Sequence, residues 1–308
     1  MMNEGVHFDL GYSSALYLGF KLVSVNVSDI MAMGCVPKYL FLDLAFTSDA
    51  DEELFDGIYD GIHEAIRLYG VSLLGGDLCS SRSDTVLAAT VIGEGDRVVF
   101  RKGAMPGDRI YITSSTGDSG CGLQILKRLD DESRERVRRQ KSRVEPDVCT
   151  GPDLKLQSDS GPVISLGWRP GFRLIKRHLI PVARDSRDMA AFANAMLDIS
   201  DGLFIDLSRL CDESGTGAII YSDQVPISPE LAEASGLLGM DALKMAVSGG
   251  EDYEILFTSS NFPLEAYNAS HDIKVSCIGE ITASERAVID KEGKRSPLTA
   301  AGYEHFGQ

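Results

Sequence analysis

Apolar side chains recur every three or four residues in two stretches of the first part of the chain, which is the spacing of helices that bury one face. The first stretch predicts a helix over 13–33, and the second predicts a helix that ends at Tyr69, with Ser48 as its capping residue. The apolar positions are Leu16, Phe20, Val23, Val27 and Ile30 in the first helix, and Leu54, Ile58, Ile62 and Ile66 in the second.

Short apolar or alternating runs predict strands on either side of these helices. Val6 and Phe8 alternate with a polar residue, and the run 71–74 leads directly into a pair of glycines. We predict the strands of this first unit at 6–8, 38–46, 71–74 and 85–94.

A turn-rich segment over 102–108 separates this unit from a second one. Strand patterns follow at 109–113, 217–221, 253–258 and 273–281, with a hairpin after them. Helix patterns lie at 121–140, 172–179, 189–196, 203–212, 229–236 and 263–270. We therefore predict an α/β (α+β) chain with a first domain over 1–104 and a second over 105–308, the latter carrying a loop-like insertion at about 129–171.

Acidic residues follow small or glycine residues at four points of this pattern. The stretches are Ser28-Asp29, Gly75-Gly76-Asp77, Asp198-Ile199-Ser200-Asp201-Gly202 and Ser248-Gly249-Gly250-Glu251-Asp252-Tyr253-Glu254. A glycine turn lets the backbone approach a ligand closely, and a carboxylate at a strand end is well placed for ligand chemistry. An ordinary acidic turn, a solvated acid near a helix end, or capping of the following helix by Ser200 or Asp201 explains any one of these stretches, but not all four together.

Carboxylates on short loops, with few histidines, favour Mg²⁺ over zinc. Asp29, Asp77, Asp198 and Asp201 are therefore candidate ligands of several ions around one polyphosphate. Arg101 lies near these turns and can hold phosphate, although it is equally a solvated linker charge. Glycines and hydroxyl residues at 115–120 precede a helix and can bind an anion at its start, but they do not form a P-loop.

Composition narrows the kinds of partner. The chain has 308 residues and 46 acidic against 30 basic side chains, a formal net charge of −16. This balance argues against nucleic acid and anionic membranes as partners, but not against nucleotides, because divalent cations can bridge an acidic site to phosphate. The six cysteines form no C-x-x-C pair, and no signal peptide or membrane-spanning run is evident, so we expect a reduced, cytoplasmic protein.

Taken together, the motifs resemble thiamine-monophosphate kinase, a family of the aminoimidazole-ribonucleotide-synthetase-like superfamily. The strings that carry the resemblance are Glu4-Gly5-Val6-His7-Phe8, Val25-Asn26-Val27-Ser28-Asp29-Ile30-Met31-Ala32-Met33-Gly34, Leu74-Gly75-Gly76-Asp77, Asp198-Ile199-Ser200-Asp201-Gly202-Leu203, and the stretch at 248–254. The similarity covers nearly the whole chain except roughly 129–171.

The resemblance implies a mixed N-terminal sheet that pairs with its copy in a homodimer, and an α+β unit beside it. It implies Mg²⁺-dependent transfer of the ATP γ-phosphoryl group to thiamine monophosphate. The residues that it implies are Asp29, Asp77, Asp198 and Asp201 for magnesium, Gly76, Asp77, Arg101 and Ser200 for ATP, and His7, Glu251 and Tyr303 for thiamine monophosphate.

Two other interpretations of the motifs remain open: a related enzyme of the same superfamily, and a dimer that binds nucleotide without catalysis. Selenophosphate synthetase and the hydrogenase-maturation dehydratase share the superfamily's acidic ATP site, but the reactive Cys or Sec segment of the first is not visible here. The second ends in a cysteine, whereas this chain ends in His305-Phe306-Gly307-Gln308. The alternative to an enzyme is a degenerate nucleotide-binding dimer, for which we expect Mg-ATP binding without turnover.

The resemblance also implies magnesium ligands upstream of Met1, in an Asp-Asp segment and a Thr-Asp pair that this sequence lacks. We therefore expect weak kinase activity or none from the chain as written, and full activity from a longer form. A coupled assay on both lengths checks this, and equal full activity would refute it. An in-frame Thr-Asp in the DNA upstream of the first codon would identify a shortened start.

Overall fold

Two β-sheets, one in each half of the chain, organise the fold. The computed structural model describes residues 1–139, 151–157 and 161–303. The strands are β1 Met2–Asn3, β2 Val36–Phe46, β3 Ser72–Ser80, β4 Val86–Glu94, β5 Arg109–Thr113, β6 Leu154–Leu156, β7 Ile164–Leu166, β8 Ala195–Asp198, β9 Gly217–Tyr221, β10 Ile255–Ser259, β11 Val275–Thr282, β12 Arg286–Ile289 and β13 Arg295–Pro297. The helices are α1 Ala15–Met31, α2 Glu52–Tyr69, α3 Asp118–Arg128, α4 Asp131–Arg138, α5 Trp168–Leu179, α6 Arg187–Ala190, α7 Leu203–Ser214, α8 Pro229–Leu238, α9 Ala242–Ser248 and α10 Leu264–Ser270.

The first sheet has the order β1-β4-β2-β3, with β2 and β3 parallel and the other pairs antiparallel. Helices α1 and α2 pack against each other through two glycines. A Cβ on Gly19 would lie 1.9 Å from the Ile58 carbonyl oxygen, and one on Gly61 would lie 1.9 Å from that of Leu16. The absence of these side chains lets the two backbones approach closely, which brings α1 into a fixed position beside the sheet.

The second sheet has the order β13-β12-β9-β11-β5-β10-β8. Its strand β8 pairs antiparallel with β10, so that Asp198 lies opposite Ile255 at one end of the ladder. One large hydrophobic core joins this half to the first, and α1 contributes Phe20 and Leu22 to it. Ser24 of α1 donates a hydrogen bond of 2.6 Å to the Pro181 carbonyl oxygen in the second half.

The predicted turn at Gly75-Gly76-Asp77 is wrong, because strand β3 continues through it to Ser80. Asp77 pairs with Asp43 of β2 and therefore lies inside a strand rather than at its end. A Cβ on Gly76 would lie 1.7 Å from the Leu42 carbonyl oxygen. The glycine is therefore needed for the close approach of β2 and not for a bend.

Other boundary predictions are also corrected. The predicted helix over 189–196 is α6 followed by the edge strand β8, which has only four residues and is buried or half-buried at each of them, so its sequence shows no alternation of apolar and polar residues. The predicted helix over 121–140 is divided by Asp130, whose side chain caps α4, and its last residue lies outside the described part of the chain. The cap of α2 is Asp51 and not Ser48.

The start and the insertion differ from prediction as well. The first strand lies at Met2–Asn3, and residues 5–7 form a turn instead of a strand. The described parts of the insertion contain α4 and the antiparallel pair β6–β7. Among the described residues, no helix has the length and apolar character needed to cross a membrane.

Candidate active site

The last turn of α1 meets the end of strand β8 where the two halves of the chain touch. Ser28 of α1 donates a hydrogen bond of 2.5 Å to the Asp198 carboxylate, which is 7% exposed. Burial, followed by the charge of Asp29, raises the pKa of Asp198 to about 7. Burial also raises the pKa of Asp29, and Arg101 opposes that rise. Two predicted ligands from distant parts of the sequence therefore repel each other at one site, with Arg101 near them.

The loop from Asp198 to Gly202 is held by a residue of the helix that follows it. The Asp206 carboxylate accepts hydrogen bonds from the backbone N–H groups of Ser200, Asp201 and Gly202 at 3.0, 3.0 and 3.2 Å. The alternative that Ser200 or Asp201 caps α7 is wrong, because the N-cap residue is Gly202 and, among the described residues, no side chain caps this helix. Arg209 bridges Asp201 and Asp206 at 2.5 and 2.8 Å, which partly neutralises both acids.

The loop 248–254 packs directly on this first loop. The Glu251 N–H donates to the Ser200 carbonyl oxygen at 2.7 Å, and the Tyr253 N–H donates to that of Ile199 at 2.9 Å. Glu251 and Tyr253 have φ values of 63° and 52°, in the left-handed region that non-glycine residues rarely adopt. This backbone conformation costs free energy and persists because the surrounding contacts determine it.

Tyr253 marks the point at which the acids converge. Its side chain is 9% exposed. Burial raises the pKa of Tyr253 well above its ordinary value, and the charges of Glu251, Asp198, Asp29 and Asp201 raise it further. Three of the four predicted magnesium ligands and one predicted substrate residue therefore lie around one tyrosine.

The other two acids of the loop have structural roles. Asp252 accepts hydrogen bonds from the N–H groups of Gly117 and Ser119 at 2.6 and 3.1 Å, at the start of α3. Glu254 has a fully buried side chain and accepts hydrogen bonds from Arg177 and Arg184 at 2.6 and 2.5 Å. The anion at the start of α3 is thus the protein's own carboxylate, which corrects the prediction of a ligand site at 115–120.

Glu251 is left facing the predicted substrate residues. Burial acts to raise the pKa of Glu251, but Lys21, His178 and His7 lower it below its ordinary value. His7 therefore lies near Glu251, and its Nδ1 accepts a hydrogen bond of 3.0 Å from the Asn3 N–H. The backbone N–H of Tyr303 donates to the Asp201 carbonyl oxygen at 2.9 Å, so the tail returns to the same loop.

Asp77 and Gly76 lie elsewhere, on the exposed edge strand β3. Within residues 1–139, 151–157 and 161–303, no three or more His, Cys, Asp or Glu side chains form a group that could hold a metal ion. Asp29, Asp198 and Asp201 therefore lie near Tyr253, but within the described part of the chain neither these three nor Asp77 form such a group.

Sequence reasoning missed the side chains that bind the acids of the two loops. These are four cations and one neutral histidine: Lys21, Arg177, Arg184, Arg209 and His178. The one available signal was Lys21, a charged residue between Phe20 and Leu22 in a strongly apolar part of α1.

Comparison with known proteins identifies relatives over nearly the whole chain. The family models for the N-terminal and C-terminal domains of AIR synthase related proteins match residues 1–94 and 175–291. Thiamine-monophosphate kinase of Aquifex aeolicus (strain VF5) is 31% identical over 309 residues, covering 99% of this chain and 86% of the relative. The enzyme of Bacillus subtilis (strain 168) is 32% identical over 315 residues, covering 99% and 86%.

Solved structures agree with these relatives. A structure described as AaThiL complexed with AMPPCP and TMP has a TM-score of 0.76 and 30% identity, covering 99% of this chain and 85% of that chain. The thiamine-monophosphate kinase of Stenotrophomonas maltophilia K279a has a TM-score of 0.73 and 28% identity, covering 96% and 84%. The hydrogenase maturation protein HypE, at 17% identity and a TM-score of 0.62, shares the fold alone.

The buried Glu254 network generates a stability prediction. Glu254→Gln leaves two largely buried guanidinium groups without their counter-charge, so we expect a loss of about 3–5 kcal/mol in the free energy of unfolding at neutral pH. Because the pKa of Glu254 lies below its ordinary value, its contribution is present above that ordinary value and is lost as the pH falls through the lowered one. Denaturant unfolding against pH measures both effects, and the variant should lose part of the acid sensitivity.

Glu230→Gln is the matched control, because Glu230 binds Arg173 at the same 2.6 Å with the arginine side chain 52% exposed. We expect it to change the free energy of unfolding by less than about 1 kcal/mol. If both variants lost the same free energy of unfolding, burial of the Glu254 ion pairs would not explain their effect on stability.

Proposed function

Because the chain belongs to the thiamine-monophosphate kinase family, we propose that it transfers the γ-phosphoryl group of ATP to thiamine monophosphate, giving thiamine diphosphate and ADP. The observation that carries the proposal for this chain is the contact of its acidic segments: Ser28, next to Asp29, binds Asp198, and the N–H groups of Glu251 and Tyr253 bind the loop that contains Asp198 and Asp201. These residues come from both halves of the chain, so folding itself assembles the site.

The reaction joins a phosphate oxygen of thiamine monophosphate to the γ-phosphorus, and the bond from that phosphorus to the bridging oxygen of ADP breaks. Such a transfer depends mainly on holding two anionic substrates in line. Arg101, which lies close enough to Asp29 to affect its pKa, is placed to attract the polyphosphate. The Ser200 backbone is fixed by Asp206 and Glu251, which gives this part of the ATP site a rigid wall.

Carboxylate oxygens are ligands of the kind that a hard divalent cation takes. Asp29 and Asp198 are destabilised by burial, and their mutual repulsion shows in the raised pKa of Asp198. A cation bound between such carboxylates relieves both costs. We propose that Asp29 and Asp198, with Asp201 beside them, hold Mg²⁺, which when bound offsets the charge of the phosphate oxygens.

The thiamine side of the site is proposed at Glu251, His7 and Tyr303. Thiamine monophosphate carries a positive thiazolium ring, and an ionised carboxylate in an acidic setting suits that charge. Lys21 and His7 help to keep Glu251 ionised by lowering its pKa. The side chain of Tyr303 is 46% exposed, so it can still pack on a ligand.

The first sheet supports a homodimer. Every residue of its edge strand β3 is exposed, and the neighbouring cross-strand pair Tyr39 and Ile92 is 45% and 50% exposed. A long exposed edge beside apolar side chains is unfavourable for an isolated chain. We propose that a second copy covers this surface, which would bring Asp77 of β3 to the interface and to the acidic site of the other copy.

The kinase proposal predicts a dependence on both central aspartates. Asp198→Asn keeps an acceptor for Ser28 but removes the charge, and we expect it to lower kcat by about 100-fold or more. Asp29→Asn should act similarly, and a chelator should abolish activity until Mg²⁺ is added back. Chromatographic detection of thiamine diphosphate measures the reaction.

Asp272→Asn, at an exposed position of the second half, is the control and should retain activity. The proposal is contradicted if neither the chain as written nor a longer form makes thiamine diphosphate from Mg-ATP and thiamine monophosphate. Full activity of Asp198→Asn would instead remove Asp198 from the site.

The dimer proposal predicts that a charge on the first sheet separates the copies. Ile92→Glu should shift the sedimentation equilibrium mass from twice the chain mass towards one chain, because a buried unpaired carboxylate opposes association. Leu237→Glu, at a position on α8 that is 47% exposed, should leave the mass unchanged. A wild-type chain that sediments as a monomer at all concentrations would refute the proposal.

A further inference from the structure

Both oxygens of the Glu251 carboxylate are held by side chains that no known motif of the site includes. Lys21 of α1 places its Nζ 2.9 Å from Oε1, and His178 of α5 places its Nδ1 3.1 Å from Oε2. The two partners come from opposite halves of the chain. The direction of the carboxylate is therefore set by a lysine on one side and a histidine on the other.

Lys21 is an unusual residue at its position. Its side chain is 5% exposed, and it is the one charged residue among the buried residues of α1, which are otherwise apolar or serine. A buried ammonium group costs free energy unless it is paired, and even a well-paired buried ion pair is seldom more stable than apolar residues of similar volume. Stability alone therefore gives no reason for a lysine here, whereas orienting a functional carboxylate does.

His178 contributes a hydrogen bond and no charge. Burial, followed by the nearby charge of Lys21, lowers the pKa of His178 to about 3, so its ring is neutral near pH 7. With a proton on Nδ1, the ring donates to Glu251, and the Ser119 hydroxyl lies 3.2 Å from the same nitrogen. Lys21 thus neutralises the carboxylate while His178 fixes its rotation.

The backbone of Glu251 is also held in place by contacts with neighbouring segments. Its φ of 63° is held by the hydrogen bond from its N–H to Ser200, and the next residue is bound at the start of α3. Tyr12 also lies close, since the charge of Glu251 helps to raise the pKa of that tyrosine to about 12. The carboxylate therefore occupies one defined place between Tyr12, His7 and the acidic loop.

We propose that Lys21 and His178 are positioning residues, which hold the Glu251 carboxylate in the orientation that binds thiamine monophosphate. The inference rests on the proposed function and deepens it. Neither residue touches the substrate in this assignment. Each acts through Glu251, which keeps free lone pairs on both oxygens for the ligand.

Lys21→Met tests the assignment with a side chain of similar length that suits an apolar helix face. We expect the dissociation constant and KM for thiamine monophosphate to rise about 10- to 100-fold, the range for losing a charged hydrogen-bond partner. KM for ATP should stay within about twofold, because uniform damage to the fold would move both substrates. Lys21→Arg should recover much of the loss.

The matched control is Lys38→Met, which removes an ion pair of 3.0 Å with Glu94 at a surface where the two side chains are 41% and 72% exposed. It should change neither the dissociation constant nor KM for thiamine monophosphate.

The role of His178 is tested separately. His178→Leu should raise KM for thiamine monophosphate, whereas His178→Asn, which can still donate a hydrogen bond, should show a much smaller rise. Thermal unfolding of each variant confirms that the protein is folded.

A double-mutant cycle shows whether Lys21 acts through Glu251. Glu251→Gln alone should weaken thiamine monophosphate binding, and adding Lys21→Met should weaken it no further. The inference is overturned if Lys21→Met binds normally, if it affects ATP equally, or if the two losses multiply. These results require a wild-type chain that makes thiamine diphosphate; absence of that activity in every length contradicts the proposed function instead.

Discussion

Two carboxylates brought together where the halves of the chain meet impose the constraint on which the site depends. Asp29 and Asp198 repel each other beside a buried core, in a protein whose formal net charge is already −16. Such an arrangement lowers stability in the absence of a ligand and strengthens the attraction for a cation. Favourable contacts elsewhere in the fold offset this loss of stability, so the two acids are already in place before a substrate binds.

The cations of the second half show which acids of the two loops are compensated by the fold. Arg177 and Arg184 bind Glu254, and Arg209 binds Asp201 and Asp206, so the guanidinium groups stabilise acids that support the loops. The acids of the centre receive much less compensation. Glu254 and Asp206 therefore have structural roles, Asp29 and Asp198 repel each other at the centre, and Asp201 belongs to both groups because Arg209 binds it.

The sequence was sufficient to predict the helices and strands whose apolar residues recur with a clear period, and to identify the acidic motifs. The stripe of α2 and the strands β5 and β9 follow from spacing alone, and the acidic loops at Asp198 and Glu251 lie together as the motifs indicated. Strand β8 could not be recognised, because four residues that are buried or half-buried on both faces show no alternation of apolar and polar side chains. The role of Gly76 was misread, since a glycine required by a close strand neighbour looks the same in sequence as a glycine required by a turn.

Lys21, Ser24 and Ser28 lie three and four residues apart on α1, so they share one face of the helix. Each reaches a different segment of the second half: Glu251, Pro181 and Asp198. Helix α1 therefore belongs to the first half of the chain and is attached to the second half at three points. A motion of one half against the other that kept α1 with its own sheet would break all three contacts at once. Through Lys21 and Ser28 the same helix therefore keeps the spacing between Glu251, proposed for the vitamin, and Asp198, proposed for the metal.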